Sequence, residues 1–83
     1  MNNFDINELI IYAARYVLGR STYAVQHVIE IIKRDIDKLN DSTIDCLISD
    51  IDYAHHKNDL GMDMDKTEWL ALLVLLNMKK NGK

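Results

Sequence analysis

The chain has 83 residues, of which 48% are hydrophobic and none is proline. This length and composition indicate a single ordered helical domain, 1–83, and exclude a disordered tail. The formal net charge of −3 argues against nucleic acid and anionic membranes as partners.

The cysteine content and the apolar runs bear on where the protein works. The one cysteine, Cys46, cannot form an internal disulfide, and no signal-peptide pattern opens the chain. The longest apolar run, at 69–76, is shorter than the roughly 20 residues that a membrane-spanning helix needs. We therefore expect a cytoplasmic protein with no membrane partner.

The first predicted helix covers about residues 6–18. Asp5 is placed to cap its free N–H groups, and Gly19 stands where a helix ends in a left-handed residue. Apolar residues with a period of 3.6 predict its buried side, with Tyr16 packing inward. That buried stripe consists of Ile6, Leu9, Ile10, Ala13, Tyr16 and Val17. A second apolar set predicts another contact, with the fourth helix or with another subunit: Ile11, Ala14 and Leu18.

The second predicted helix covers about residues 22–39, with Ser21 or Thr22 as its cap. Its apolar residues follow the helical period closely and predict one buried face. The buried face consists of Val25, Val28, Ile29, Ile32, Ile36 and Leu39.

Capping patterns also predict the third and fourth helices. Ser42 with Asp45 resembles a capping box for a helix over about 43–58, and Asp65 starts the same pattern for a helix over about 66–79. The chain is therefore expected to be an all-α, compact four-helix domain with short connections.

The run from Trp69 to Leu76 is apolar at every position. A buried strand is the alternative for so short a run, but leucine and alanine predominate and favour a helix. A helix that is apolar on all sides must be covered on all sides, either at the centre of the bundle or in a homodimer interface.

The segment 41–68 holds eight acidic residues and two lysines, a net charge of −6, so opposite faces of the protein are expected to differ in sign. Helix periodicity places several of these carboxylates beside an exposed tyrosine, which is typical of a partner-binding surface. This candidate surface consists of Asp45, Asp50, Asp52, Tyr53 and Asp59. Its charge predicts a protein partner with a basic surface.

The stretch RYVLGRSTY, residues 15–23, connects the first two helices. If this stretch is only a corner between two helices, it needs Gly19 and a hydroxyl cap. If it binds an anion, it would use Arg15 and Arg20 beside a helix N-terminus. Folding alone does not explain Arg20 and Tyr23, so both are added to the candidate partner-binding residues.

A basic flank supports an alternative function, a small nucleic-acid-binding regulator. Its candidate residues are Arg15, Arg20, Arg34 and Lys38. Acidic residues interrupt this flank, so a solvated helix face is the simpler interpretation.

The sequence predicts neither a metal site nor a catalytic group. Asp52 and His56 have i,i+4 spacing, but no third ligand accompanies them. Cys46 has no neighbouring base that would make it a nucleophile. We expect no cofactor and no enzymatic activity.

The segments IYAARYVLGRSTYAV and MDMDKTEWLALL resemble small helical accessory proteins of phages and mobile elements of Gram-positive bacteria. The matching residues are Arg15, Tyr16, Leu18, Gly19, Arg20, Thr22, Tyr23 and Trp69. The resemblance implies a non-enzymatic, anti-CRISPR-like inhibitor of a host defence protein such as a CRISPR nuclease. It also implies that the protein works in the cytoplasm of the host cell.

Overall fold

The computed structural model describes residues 5–20, 23–61 and 63–82. In these residues the chain forms four α-helices and no strand, so the predicted all-α four-helix fold is confirmed. The helices are α1 (Ile6–Val17), α2 (Tyr23–Asp35), α3 (Asp41–His56) and α4 (Asp63–Asn81), and a 3₁₀ turn (Ile36–Lys38) follows α2.

The four helices pack in a ring around one core. α1 packs against α2 and α3, and α4 packs against the same two helices. α1 and α4 therefore occupy opposite corners of the bundle. The largest wholly buried side chains come from all four helices: Trp69, Ile29, Ile32, Ile44, Leu47, Ile51, Leu72, Leu76, Val17 and Val25.

The two ends of α1 agree with the sequence prediction. Asp5 caps the helix, because its carboxylate accepts a hydrogen bond of 3.0 Å from the backbone N–H of Asn7. At the other end Gly19 has φ +81°, the left-handed conformation in which glycine carries no steric penalty.

The rotation of α1 about its axis corrects the prediction. The buried residues are Ile10, Ala14 and Val17, whereas the side chain of Tyr16, predicted to pack inward, is 65% exposed. Ala14, predicted to face away from the core, is 0% exposed. α1 contacts α3 as well as α2. The small side chain of Ala14 lets these helices approach closely, whereas the bulky side chains of Tyr12 and Tyr16, one turn apart, would not fit between them.

α2 buries the predicted face but ends earlier than predicted. The α-helix stops at Asp35, whose φ −104° and ψ 14° leave the helical region, and the 3₁₀ turn carries the chain on to Leu39, which is buried. The predicted caps, Ser21 and Thr22, lie outside the described residues.

α3 begins two residues before the predicted start. Its cap is Asn40, whose side-chain oxygen accepts a 2.8 Å hydrogen bond from the N–H of Thr43, so the predicted cap at Ser42 is wrong. The N–H of Asn40 itself donates to the side-chain oxygen of Asn7 at 2.9 Å. The start of α3 is thus tied to the first turn of α1.

α4 is longer than predicted and is not buried on all sides. Trp69, Leu72 and Leu76 are 0% exposed, but Val74 on the opposite side is 60% exposed. α4 is therefore not the central helix of a bundle. The indole N–H of Trp69 lacks a hydrogen-bond acceptor among the described residues.

Candidate interaction surfaces

The acidic flank of α3 is less charged than the sequence indicates. Asp50 forms an ion pair with Arg15, whose Nε lies 2.8 Å from the carboxylate. Asp45 forms an ion pair with Lys80, whose Nζ also lies 2.8 Å away. Surface pairs such as these contribute little stability, but each reduces the local negative charge. Of the four carboxylates predicted to bind a partner, two are therefore already paired within the chain.

The other members of the predicted acidic surface are exposed. Asp52 lies 3.7 Å from Nε2 of His56, and Asp59 has no ion-pair partner among the described residues. Tyr53 is exposed, and Nζ of Lys57 lies over its ring at 5.5 Å. Lys57 thus places a cation on this flank. Its contact with Tyr53 was not predicted from the sequence.

A small polar cleft joins the acidic flank to the corner after α1. It encloses about 200 Å³ and is lined by Arg15, Leu18, Asp50, Tyr53, Ala54, Lys57 and Asp59. The guanidinium of Arg15 also donates to the sulfur of Cys46 at 3.2 Å. The hydrogen bond to Asp50 raises the pKa of Arg15 above its ordinary value. Arg15 therefore serves to hold α1 against α3 and is not a vacant anion site.

The basic flank is also partly neutralised, by Asp35, which no sequence pattern singles out. Asp35 is 4% exposed, and its two carboxylate oxygens accept hydrogen bonds from Nε and Nη2 of Arg34 at 3.2 and 3.0 Å. Nζ of Lys38 lies 3.8 Å from the same carboxylate. The hydrogen bonds from Arg34 lower the pKa of Asp35, because they favour its charged form more than burial disfavours it.

Arg20 differs from the other three predicted cations. Its guanidinium carbon lies 4.8 Å from the ring centre of Tyr16, a cation–π contact, and it has no carboxylate partner within the part of the chain that the structure describes. Tyr23 nearby in sequence is 98% exposed. Tyr23 is exposed and Arg20 lacks a carboxylate partner among the described residues, and the assignment of both to a partner-binding surface stays a prediction.

An apolar groove runs between α1 and α2, where the sequence predicts no site. One part of it is shallow and open to solvent, has a volume of about 640 Å³ and is lined by Leu9, Tyr12, Ala13, Arg15, Tyr16, Val17, Ala24 and Val28. A second part of about 180 Å³ shares three of these residues and extends the groove to Ile6, Ile10, Ile31, Arg34 and Asp35. We call the two parts together the α1–α2 groove.

The spacing of Leu9, Tyr12 and Tyr16 could have indicated this groove, because residues three and four apart share a helix face. The helical period predicts Leu9 and Tyr16 in the core instead, and both are exposed. Helix α1 has two candidate apolar stripes, and its sequence alone does not show which one the other helices cover.

The outer face of α4 is a second exposed apolar surface. Val74 and Met78 are exposed on it, and with Leu73 they line a shallow depression near the end of the helix. Three charged residues of α4 pair with neighbouring elements instead: Glu68 with Lys33, Lys79 with Asp37 and Lys80 with Asp45. The outer face is left apolar and uncharged around Val74.

The described ranges contain neither a metal-binding cluster nor a membrane-spanning helix. Across 5–20, 23–61 and 63–82, no three histidine, cysteine, aspartate or glutamate side chains come together as a metal site. Nor does any helix in those ranges combine the length and the apolar character that crossing a membrane requires.

No protein-family model, curated protein or solved structure matches this chain. Its function must therefore be argued from its own surfaces.

Proposed function

We propose that this protein is a non-enzymatic protein-binding module and that the α1–α2 groove is its main binding surface. The observation that carries the proposal is the exposed row of Leu9, Tyr12 and Tyr16 along the groove, with Arg20 stacked on the last tyrosine. Tyrosine and arginine are enriched in protein interfaces and among the residues that dominate binding energy.

The acidic flank has a subordinate part in this proposal. Asp52 and Asp59 keep exposed carboxylates, and Tyr53 lies beside them. These groups would steer a partner that carries a basic patch, with an effect that salt weakens. The pairing of Asp45 and Asp50 within the chain is the reason that we place the main contact at the groove.

The resemblance to phage accessory proteins suggests a context for the partner. In that context the module would bind and block a host defence protein such as a CRISPR nuclease, in the cytoplasm of the host cell. The α1–α2 groove would then act by occupying a surface that the host protein needs.

The alternative function, a nucleic-acid-binding regulator, has less support. Arg15, Arg34 and Lys38 already lie against carboxylates, which leaves Arg20 as the predicted cation without one among the described residues. Nucleic-acid binding depends on cations that can neutralise phosphates.

The test is quantitative capture of proteins from a lysate of a Gram-positive bacterium. Immobilised wild-type protein is compared with a groove variant, Tyr12→Ser with Tyr16→Ser, and with a matched variant on the outer face of α4, Val74→Ser with Met78→Ser. All four side chains are exposed, so each variant is expected to fold. We expect a partner that the wild type and the α4 variant retain and the groove variant loses.

Equal capture by the groove variant would contradict the proposal. Retention of DNA or RNA by the purified protein at about 50 mM salt, lost in Arg20→Ala, would favour the nucleic-acid alternative instead.

A further inference from the structure

We propose that the α1–α2 groove binds an amphipathic α-helix of the partner protein, and that this helix carries acidic residues beside its apolar face. The inference rests on the proposed function and specifies the chemistry of the partner. Three observations carry it: the length of the groove, the polarity of its walls and the charges at its rim.

The length of the groove matches a short helix. Its lining extends along α1 from Ile6 to Tyr16 and along α2 from Ala24 to Arg34. Ten residues of an α-helix span about 15 Å, which is close to three helical turns. A bound helix of that length would present apolar side chains at positions i, i+3 or i+4, and i+7.

The polarity of the walls favours a helix over an extended segment. Most side chains that line the groove are apolar, and Ala13 and Ala24 leave room for a backbone to approach. An extended chain would bring backbone N–H and C=O groups against these walls without partners, which is costly. A helix satisfies these groups internally and can bury its apolar face there.

The charge at the rim favours acidic residues on the bound helix. Arg20 lies against Tyr16 at the rim and has no carboxylate partner among the described residues. Among the lining residues that the structure describes, the one carboxylate is that of Asp35, which is buried under Arg34. Arg15 and Arg34 are paired with Asp50 and Asp35, so Arg20 is the cation that an acidic side chain of the bound helix would meet.

The same charges disfavour a second copy of this chain in the groove. A second copy that placed its own groove there would offer no free carboxylate to Arg20, because the one carboxylate among its described lining residues, that of Asp35, is bound by Arg34. The occupant that we propose is therefore an acidic amphipathic helix from another protein.

The experiment uses two synthetic peptides of about 14 residues with leucines at the spacing given above and helix-favouring alanines elsewhere. One peptide carries glutamates beside the leucines, and the other carries lysines at the same positions. Affinity is measured by fluorescence anisotropy with the full chain, and the binding site is located from amide chemical shifts of the isotope-labelled protein.

We expect the glutamate peptide to bind at least about tenfold more tightly than the lysine peptide, with weaker binding at higher salt. Amide shifts should concentrate at Ala13, Ala24 and Val28. Arg20→Glu should weaken binding of the glutamate peptide by about fivefold or more. Val74→Ser on α4 should leave the affinity for this peptide unchanged.

Three results would overturn the inference: equal or tighter binding of the lysine peptide, no binding of either peptide, or shifts that concentrate on the outer face of α4. A concentration-dependent dimer whose contacts map to the groove would also overturn it, since a second copy would then be the occupant. Circular dichroism of each variant establishes that a loss of binding is not a loss of folding.

The lysate test separates this inference from the proposed function. If the groove variant loses the captured partner and neither peptide binds, the groove is a binding surface with a different occupant. If the groove variant keeps the partner, the proposed function itself is wrong.

Discussion

At the scale of single residues, Gly19 joins the end of α1 to the acidic flank of α3. Its φ of +81° is one that residues with a side chain rarely adopt, and a Cβ atom there would lie 2.9 Å from Oδ2 of Asp59. Asp59 is exposed and can move aside, so the conformational cost should outweigh the steric one.

The change Gly19→Ala should lower the free energy of unfolding by about 1–2 kcal/mol, because alanine is strained in the left-handed conformation. The measurement is urea denaturation followed by circular dichroism. In an Asp59→Ala background the close contact is absent, so the same change should lower the free energy of unfolding by slightly less. Unchanged stability in both backgrounds would show that alanine is not strained at position 19.

Asp35 is the second residue whose role depends on its surroundings. Its carboxylate is buried and holds Arg34 and Lys38 at the point where α2 gives way to the 3₁₀ turn. Hydrogen bonds from Arg34 lower its pKa. Ionised Asp35 therefore stabilises the fold above the ordinary carboxyl pKa, and this contribution is lost as the pH falls through the lowered value.

We predict that Asp35→Asn is less stable than the wild type at pH 7 and that the difference shrinks below about pH 4, where the carboxyl of Asp35 begins to be protonated in the unfolded chain while the folded protein still holds it ionised. Urea denaturation of both proteins across this pH range measures the difference in their free energy of unfolding. Asp37→Asn is the control, because Asp37 is exposed and its ion pair with Lys79 should matter little. A difference that persists undiminished at about pH 2 would show that the charge is not responsible.

At the scale of helices, the start of α3 shows how two elements share one connection. Asn40 caps α3 through Thr43, while its own N–H is bound by Asn7 of α1. The cap therefore satisfies an N–H group of α3 and also fixes the position of the preceding loop against α1.

Asn40→Ala should lower the free energy of unfolding by about 1 kcal/mol, because it leaves the N–H of Thr43 without its acceptor. Ser42→Ala is the matched control. It removes the cap that the sequence predicted and should change stability by less than about 0.5 kcal/mol. Chemical denaturation of both variants decides which residue caps the helix, and a larger loss from Ser42→Ala would refute the observed cap.

At the scale of the whole molecule, charges that are separated in sequence come together in the fold. The segment 41–68 has a net charge of −6, but Arg15, Lys33 and Lys80 reach it from outside and pair with Asp50, Glu68 and Asp45. The expected contrast between opposite faces is reduced accordingly.

The ring of helices also leaves the outer face of α4 uncovered. We propose that the protein self-associates weakly through the exposed side of Trp69–Leu76. The 19 residues of α4 make a helix about 28 Å long. A strip of its surface about 10 Å wide would bury about 300 Å², well below the roughly 800 Å² per partner of a standard interface.

Light scattering should accordingly show a mass that rises from monomer towards dimer only as the protein is concentrated. Val74→Asp should hold the protein as a monomer, because it places a charge at the centre of the contact. Ser49→Asp, an equal change of charge at an exposed position of α3, should have no effect. A stable dimer that survives Val74→Asp would place the interface elsewhere.

The sequence by itself determined what depends on neighbouring residues along the chain. The helical period of α2, the cap at Asp5 and the glycine stop at Gly19 all involve groups within a turn or two of each other. The chain therefore carries enough local information to predict four helices and most of the core.

Only the tertiary structure decided which stripe of α1 is covered, which charges remain unpaired and where the groove lies. Rotation of a helix about its axis costs nothing locally, so the burial of Ala14 and the exposure of Tyr16 follow from the positions of α2 and α3. The pairing of Arg15 with Asp50 joins residues 35 positions apart. Such long-range contacts form only when the packed helices bring their surfaces together.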